Sequence, residues 1–254
     1  MSTFSPLADI LVTARQEGRQ VVALPEALVP ADADAAYAVA AEVAGRLGWA
    51  PLGWKIAGTT EVMRARLRMP EPIFGRSFAP LVMAPAVFEH AVLLDPIVEA
   101  EFFVRLAVDL PPRHTPWTEA EVTGAVSAVH AGVEVAECRF PAAALPHFTA
   151  VLADGSGNGR YVLGPEIISG DLAAMPVEVT VDGMVRRRGS GAEVMGHPLR
   201  ALAWLANRLP RAGSFLRAGE WVSTGTASGM LAPRPGNLVS VRFGDLPALE
   251  IRFR

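Results

Sequence analysis

Apolar and polar positions follow two different periods along this chain, and the change from one to the other organises its reading. In PLADILVTARQEG, Leu7, Ile10, Leu11 and Ala14 recur at helical spacing, and Gly18 is placed to stop the helix. A second helix is predicted through DADAAYAVAAEVAGRLG, capped by Asp32 or Asp34 and ended by Gly48. A third, short one follows GWKIA, runs through TTEVMRARLRM and ends before Pro70. Beyond it the texture becomes that of strands. VFEHAVLLDPIVEAEFFVRLAVDLP, VEVAECRF, RYVLG, PVEVTVDGMVRRRG, WVSTGTASGML, NLVSVRFGDL and ALEIRF are rich in Val, Ile and Phe and punctuated by Gly, Pro, Asn or Asp. Two helices are predicted to interrupt them. One is TEAEVTGAVSAVHAG. The other is HPLRALAWLANRL, which His197 starts, where Pro198 suits a first turn and Leu199, Leu202, Leu205 and Leu209 line one face.

Strands that do not alternate regularly with helices argue against a doubly wound parallel sheet. The expected fold class is α+β: a helical N-terminal portion, residues 1–75, packed on a mixed β-rich core, residues 76–254, as one structural unit. A chain of 254 residues with 51% hydrophobic and 19% charged positions can bury the sizeable core this requires. Its formal net charge of −3 gives no support for a nucleic-acid partner. The one basic run, Arg186 to Arg188, follows VDGMV and reads as a solvated strand end rather than a phosphate contact. Cys138, the single cysteine, excludes an intrachain disulfide and a multi-cysteine zinc site, and fits a reducing compartment. MSTFSPLADILVTARQEG does not have the make-up of a signal peptide, and no apolar run approaches the ~20 residues that span a bilayer. A soluble cytoplasmic protein with no membrane partner is expected.

Candidate chemistry concentrates in the carboxylates. IVEAEFFVRL (Ile97–Leu106) has the look of a buried strand, yet Glu99 and Glu101 point to one face of it. Two like charges in an apolar setting repel each other and lose hydration. Glu134, in AGVEVAECRF, faces away from Val133 and Val135. A divalent cation with oxygen ligands would offset the repulsion among three such groups, and hard carboxylates select Mg²⁺ or Mn²⁺ over zinc. The alternative is a solvated strand that needs no ion. Glu137 falls on the face of Arg139, where a structural ion pair suffices. GSGAEV lacks the third glycine of a dinucleotide fingerprint, and DGSGNGR lacks the Lys-Ser/Thr of a phosphate loop, so both read as tight turns. The five histidines show no metal-ligand or nucleophile-dyad spacing. Lys55, in GWKIA, reads on its own as a strand lysine whose ammonium reaches the surface.

Six segments in order resemble the 2-keto-4-pentenoate hydratase / 4-oxalocrotonate decarboxylase family of the fumarylacetoacetate hydrolase superfamily. GWKIAGTT is similar to its G-Y/F-K-I/V-G-L-T-S, IVEAEFFVRL to its E-x-E segment, and GVEVAECR to A-L-E-I-V-D-S-R. ADGSGNGRYVLG resembles A-D-N-A-x-x-G-x-V-L-G. GSGAEVMGHPLRALAWLANRL resembles the segment ending W-L-A-N, and LRAGEWVSTGTASGMLAPRPGN the one ending P-G-D. The resemblance implies the mixed β-sandwich or roll of the hydrolase C-terminal type. It also implies Mg²⁺ or Mn²⁺ held by Glu99, Glu101 and Glu134, and a small α-keto acid or dienoate substrate chelated through its keto and carboxylate oxygens. Lys55 then becomes a catalytic or substrate-binding lysine, and Asn158 and Thr226 substrate contacts, with a turn hydroxyl as the other reading of Thr226. A homo-oligomer is expected.

Departures from the pattern accompany it. Ile73 stands in PIFG where relatives carry the aspartate of P-D-F-G, Gly155 stands where they carry asparagine, and GTT replaces L-T-S. The implied activity is hydration of a 2-hydroxy-2,4-dienoate to a 4-hydroxy-2-keto acid, in aromatic catabolism. Decarboxylation of an oxalocrotonate-like acid, or a non-catalytic keto-acid-binding or partner subunit, are the alternatives. Acylpyruvate hydrolysis is disfavoured, because no His/Glu pair is evident near the N-terminal helices.

Overall fold

The computed structural model describes residues 5–254. The first four residues, where the segment read for a signal peptide begins, lie outside them. Helix α1 (Pro6–Glu17) ends on Gly18, whose φ of 62° is the left-handed conformation that closes a helix without a Cβ clash. Helix α2 (Ala33–Leu47) is capped by Asp32, whose side chain accepts from the Ala35 N–H, and it ends on Gly48 at φ 63°. Strand β1 (Pro51–Ala57) follows. The short helix α3 (Glu61–Leu67), capped by Thr60, leads into β2 (Ile73–Phe78) and β3 (Val87–Phe88). Thus the first 75 residues supply three α-helices and also β1 and the start of β2.

The remaining elements are mostly strands: β4 (Ile97–Leu106), β5 (Val126–Ala136), β6 (Arg160–Glu166), β7 (Pro176–Val181), β8 (Met184–Ser190), β9 (Trp221–Thr226), β10 (Leu238–Phe243) and β11 (Leu249–Phe253). Between them lie α4 (Glu119–Thr123), α5 (Phe148–Ala153) and α6 (Pro198–Arg208). His197 caps α6 by accepting from the Leu199 N–H, with Pro198 in the first turn and Leu199, Leu202 and Leu205 buried. One expectation fails here. Residues 118–132 do not form one helix: α4 stops at Thr123, and β5 starts at Val126. The capping box of Thr118 and Glu121 starts a genuine helix, but Gly124 ends it. The segment beyond then pairs with β4 from Val126 to Ala136, so long-range pairing overrides the local helical spacing.

Two mixed sheets result, one ordered β2-β1-β9-β4-β5-β6 and the other β3-β11-β10-β7-β8. Phe102 of β4 meets Phe243 of β10 edge-on at 5.1 Å between ring centroids, so the even-numbered face of β4 packs toward the second sheet. At the other edge of the first sheet α2 and α6 cover β2, where Phe74 stacks on Tyr37 at 4.0 Å and meets Trp204 edge-on at 6.2 Å. The opposite face of β4 therefore belongs to its odd-numbered residues, including both glutamates. Every residue of β4 from Val98 to Val104 is buried, so the solvated-strand reading of this segment does not hold. Arg186 to Arg188 are exposed on the edge strand β8, as a solvated strand end requires.

Candidate metal and substrate site

Antiparallel pairing of β4 with β5 sets Glu134 directly across from Glu99. Glu101 follows two residues along the same face. One carboxylate oxygen from each of the three lies within 4.8 Å of the other two, and the residues are 6%, 1% and 0% exposed. Like charges opposite one another in a sheet are destabilising, and burial sharpens the penalty. Burial, only partly opposed by Lys55 and reinforced by Glu134, pushes the Glu99 carboxyl up to about 7. Burial, followed by the charges of Glu134 and Glu99, lifts Glu101 well above the ordinary carboxylate range, and burial also raises Glu134.

Lys55 is the cation that faces them. It does not reach solvent as a bare strand lysine would: its side chain is 2% exposed, with Nζ 3.2 Å from Glu134 Oε2. The ammonium also donates to the Ser156 carbonyl at 3.1 Å. Burial by itself would lower its pKa, but Glu134, Glu99 and Glu101 together outweigh burial and raise it, so Lys55 stays charged. One ammonium against three carboxylates leaves the cluster short of positive charge.

The oxygens divide into held and bare. Glu101 Oε2 accepts a short hydrogen bond from Ser223 Oγ and another from the Gly225 N–H at 3.0 Å. Its Oε1 is buried without a partner. Glu134 Oε1 accepts from the Gly159 N–H at 3.4 Å, while Oε2 has the ion pair to Lys55 but no bond of hydrogen-bonding geometry. A bare oxygen on Glu101, a Glu134 oxygen held only by the Lys55 ion pair, and a Glu99 oxygen converging with them are a hard donor set that a small divalent cation such as Mg²⁺ or Mn²⁺ suits. The residues present fit such an ion.

The backbone of residues 154–159 closes over this face. Gly155, Ser156 and Gly157 all have positive φ (80°, 60° and 68°), as expected for a tight turn, and here the turn also lines the site. At Gly75 of β2, the neighbour of Lys55 across the β1–β2 pair, a Cβ would lie 2.0 Å from the Gly155 carbonyl oxygen. Only glycine lets strand and turn approach this closely.

Thr226 lies across from Glu101 in the β4–β9 register, 4% exposed. Its hydroxyl donates to the Gly229 carbonyl at 3.1 Å and accepts from the Ser228 N–H at 3.4 Å, which are turn-closing contacts. Asn158 is fully buried, but its amide is spent elsewhere: Oδ1 accepts from Arg15 at 2.6 Å and Nδ2 donates to the Arg76 carbonyl. It approaches the carboxylates through the backbone of the next residue, Gly159. Ile73 is buried on the β2 face that carries Gly75, so an apolar side chain stands on the side of Lys55. Glu137 does not pair with Arg139. It binds Arg160 at 3.1 Å and the Leu94 N–H at 2.9 Å, while Arg139 turns to Asp154 at 2.8 Å. β5 ends at Ala136, and past its end strand alternation no longer sets directions.

Sequence reasoning missed two groups. Ser223 holds Glu101, and the Tyr161 hydroxyl, across from Glu134, is buried without a hydrogen-bond partner. WVSTGT offered several hydroxyls, and only the pairing of β9 with both β1 and β4 singles out Ser223.

Known proteins resemble the chain over nearly its whole length. Residues 80–254 match the family described as fumarylacetoacetate (FAA) hydrolase C-terminal. A 2-keto-4-pentenoate hydratase from Paraburkholderia phymatum is 32% identical over 246 residues, covering 94% of this chain and 93% of that one. A 4-oxalocrotonate decarboxylase from Pseudomonas putida is 31% identical over 209 residues, or 80% and 77% of the two chains. The solved structure of a 4-oxalocrotonate decarboxylase from Pseudomonas putida, complexed with magnesium and adipate, superposes with a TM-score of 0.87. It is 25% identical and covers 98% of this chain and 96% of that one. The chain belongs to the 2-keto-4-pentenoate hydratase / 4-oxalocrotonate decarboxylase group of the fumarylacetoacetate hydrolase family.

Proposed function

We propose that the protein is a divalent-metal-dependent lyase that hydrates a 2-hydroxy-2,4-dienoate to a 4-hydroxy-2-keto acid, as a cytoplasmic homo-oligomer. The observation that carries the proposal is the buried triad Glu99, Glu101 and Glu134, with an unpartnered oxygen on Glu101 and a Glu134 oxygen held only by its ion pair to the Lys55 ammonium. Mg²⁺ or Mn²⁺ held by these three glutamates would supply Lewis acidity toward the keto-enol and carboxylate oxygens of the substrate. Membership in a group whose named relatives are hydratases and decarboxylases supports the reading. The complex of one such relative with magnesium and a dicarboxylate supports the ion and the anionic ligand.

The chain's own groups have distinct tasks in this reading. Lys55, kept protonated by its acidic neighbours, either pairs with the substrate carboxylate or assists the proton transfer that ketonises the dienol at its far carbon. Water then adds at C4 of the resulting enone. Ser223 and the Gly225 N–H fix Glu101 so that a single oxygen of it faces inward. Thr226, opposite Glu101, borders the substrate, and Asn158 shapes the turn above it.

Ile73 favours decarboxylation as a second reading. A buried isoleucine cannot exchange protons, whereas loss of a carboxylate from an oxalocrotonate-like acid begins without an added water. Purified protein supplied with Mg²⁺ or Mn²⁺ and a panel of dienoates and oxalocrotonates decides among these. Loss of dienoate absorbance with formation of the 4-hydroxy-2-keto acid is expected, slower than the ~10 s⁻¹ of a median enzyme, and Ile73→Asp should accelerate it. Release of CO₂ without hydration would select the second reading. Inertness toward the whole panel would leave a non-catalytic keto-acid-binding subunit.

A further inference from the structure

Two of the three glutamates have an oxygen held by the surrounding fold, and they are held unequally. Glu101 Oε2 takes two donors, the Ser223 hydroxyl and the Gly225 N–H. Among the described residues, Glu134 has one hydrogen bond of good geometry, the long 3.4 Å contact from the Gly159 N–H to Oε1, besides the ion pair of Oε2 with Lys55. Yet a second donor stands beside it. Tyr161 of β6 is the direct cross-strand neighbour of Glu134, so both side chains leave the sheet on the same face. Tyr161 is fully buried, and its hydroxyl has no hydrogen-bond partner among the described residues.

The hydroxyl is close enough to act on the carboxylate. Burial raises the Glu134 carboxyl, and Tyr161 stands with Lys55 and the Gly159 N–H among the groups that lower it. Phe103 lies on the β4 face of Glu99 and Glu101 and meets the Tyr161 ring edge-on at 6.0 Å, which keeps the ring on the site's side of the sheet. Burial first, and then the charges of Glu134 and Glu101, hold the phenol well above its ordinary range, so it remains a donor. A phenylalanine ring would fill this space equally well. Buried hydroxyls are ordinarily paired, so a tyrosine here calls for a use of its oxygen.

We propose that Tyr161 is a positioning residue for Glu134: its hydroxyl donates to the carboxylate and steers it as a ligand of the divalent cation. The inference rests on the metal-dependent reading above. Tyr161 then does for Glu134 what Ser223 does for Glu101, holding one part of the carboxylate so that the rest faces the ion.

Calorimetric titration of the metal-free, EDTA-treated wild type and of Tyr161→Phe with Mn²⁺ tests this, with thermal melting of both metal-free chains alongside. The variant is expected to bind Mn²⁺ about tenfold more weakly, as loss of an outer partner of a metal ligand implies. Its metal-free form should melt no lower than wild type, because the lost hydroxyl is not tied into the fold. Equal Mn²⁺ affinity in the two chains would overturn the proposal. So would an affinity that falls together with the melting temperature of the metal-free chain, which would make Tyr161 a packing residue. Should the variant fail to fold by circular dichroism, wild type labelled with ¹³C at tyrosine Cζ is titrated with Mg²⁺ instead. The chain has two tyrosines, and Tyr37→Phe assigns their resonances. The Tyr161 resonance must then shift on saturation; an unmoved one would overturn the proposal. A folded wild type that binds no Mn²⁺ would overturn the metal reading and this inference with it, whereas equal binding by wild type and Tyr161→Phe overturns this inference alone.

Discussion

The turn of residues 154–159 separates two buried charge clusters of opposite imbalance. On one side three glutamates face one lysine; on the other two arginines face one aspartate. Both sides use the same short backbone: the Ser156 carbonyl and Gly159 N–H serve the acidic cluster, and Asp154 and Asn158 serve the basic one. The clusters nevertheless differ in how they are held. Asp154 accepts from the Arg139 side chain and backbone and pairs with Arg15, so most of its capacity is filled. Glu101 keeps one oxygen bare, and Glu134 keeps one whose sole partner is the Lys55 ion pair. A saturated buried cluster anchors the fold, whereas an unsaturated one leaves donor oxygens that a cation could fill.

Removing the anchor should have the largest effect. Asp154→Asn leaves two buried guanidiniums without their carboxylate and should cost about 3–5 kcal/mol of stability, as broken buried pairs do. Chemical denaturation measures it, and a loss below about 1 kcal/mol would show that the cluster is not an anchor. The corresponding change on the acidic side should behave differently. Lys55→Met removes the cation beside the glutamates, so the melting temperature of the metal-free chain should fall. Affinity for Mn²⁺ should instead rise, by at least about threefold, because an ammonium no longer repels the ion. Turnover of the best dienoate should fall sharply at the same time. Tighter metal with lost kcat/KM is the signature of a lysine that is not a ligand; weaker metal binding would argue against it.

The smallest effect concerns Cys138, beside the basic cluster. Burial first, and then the charge of Asp154, push its thiol up to about 12, despite the opposing arginines. Its thiolate, the reactive form, is therefore scarce at pH 8. Alkylation should be slow there and should accelerate about tenfold per pH unit toward pH 12. Reaction at pH 8 as fast as that of an ordinary thiol, with pKa ≈ 8.5, would mean that the cluster opens to solvent.

These two clusters were unequally legible in the sequence. Glu99 and Glu101 announce themselves, since strand alternation places both on one face of an apolar segment, and GVEV supplies a third carboxylate. That Glu134 stands opposite Glu99 is a matter of register, which spacing within one strand does not contain. The burial of Lys55 depends on a turn a hundred residues away. The basic cluster was not legible: Arg15 and Asp154 are 139 residues apart, and each looks like an ordinary surface residue in its own segment. Glu137 and Arg139 were matched by alternation, although they lie one and three residues past the end of the strand. Residues 118–132 carried a helical start signal and valines at helical spacing, Val122, Val126 and Val129, and pairing with β4 overrode that pattern beyond Gly124.

The most direct test of the glutamate site is titration of the metal-free wild type and of Glu101→Gln with Mn²⁺, followed by calorimetry. Glu101 is the ligand to change, because Ser223 and Gly225 already hold one of its oxygens and leave the other facing inward without a partner. One ion bound per wild-type chain is expected, with affinity at least about tenfold lower in Glu101→Gln, since a ligand charge is lost. Equal affinity in the two chains, or no binding by a folded wild type, would contradict a metal site at Glu99, Glu101 and Glu134.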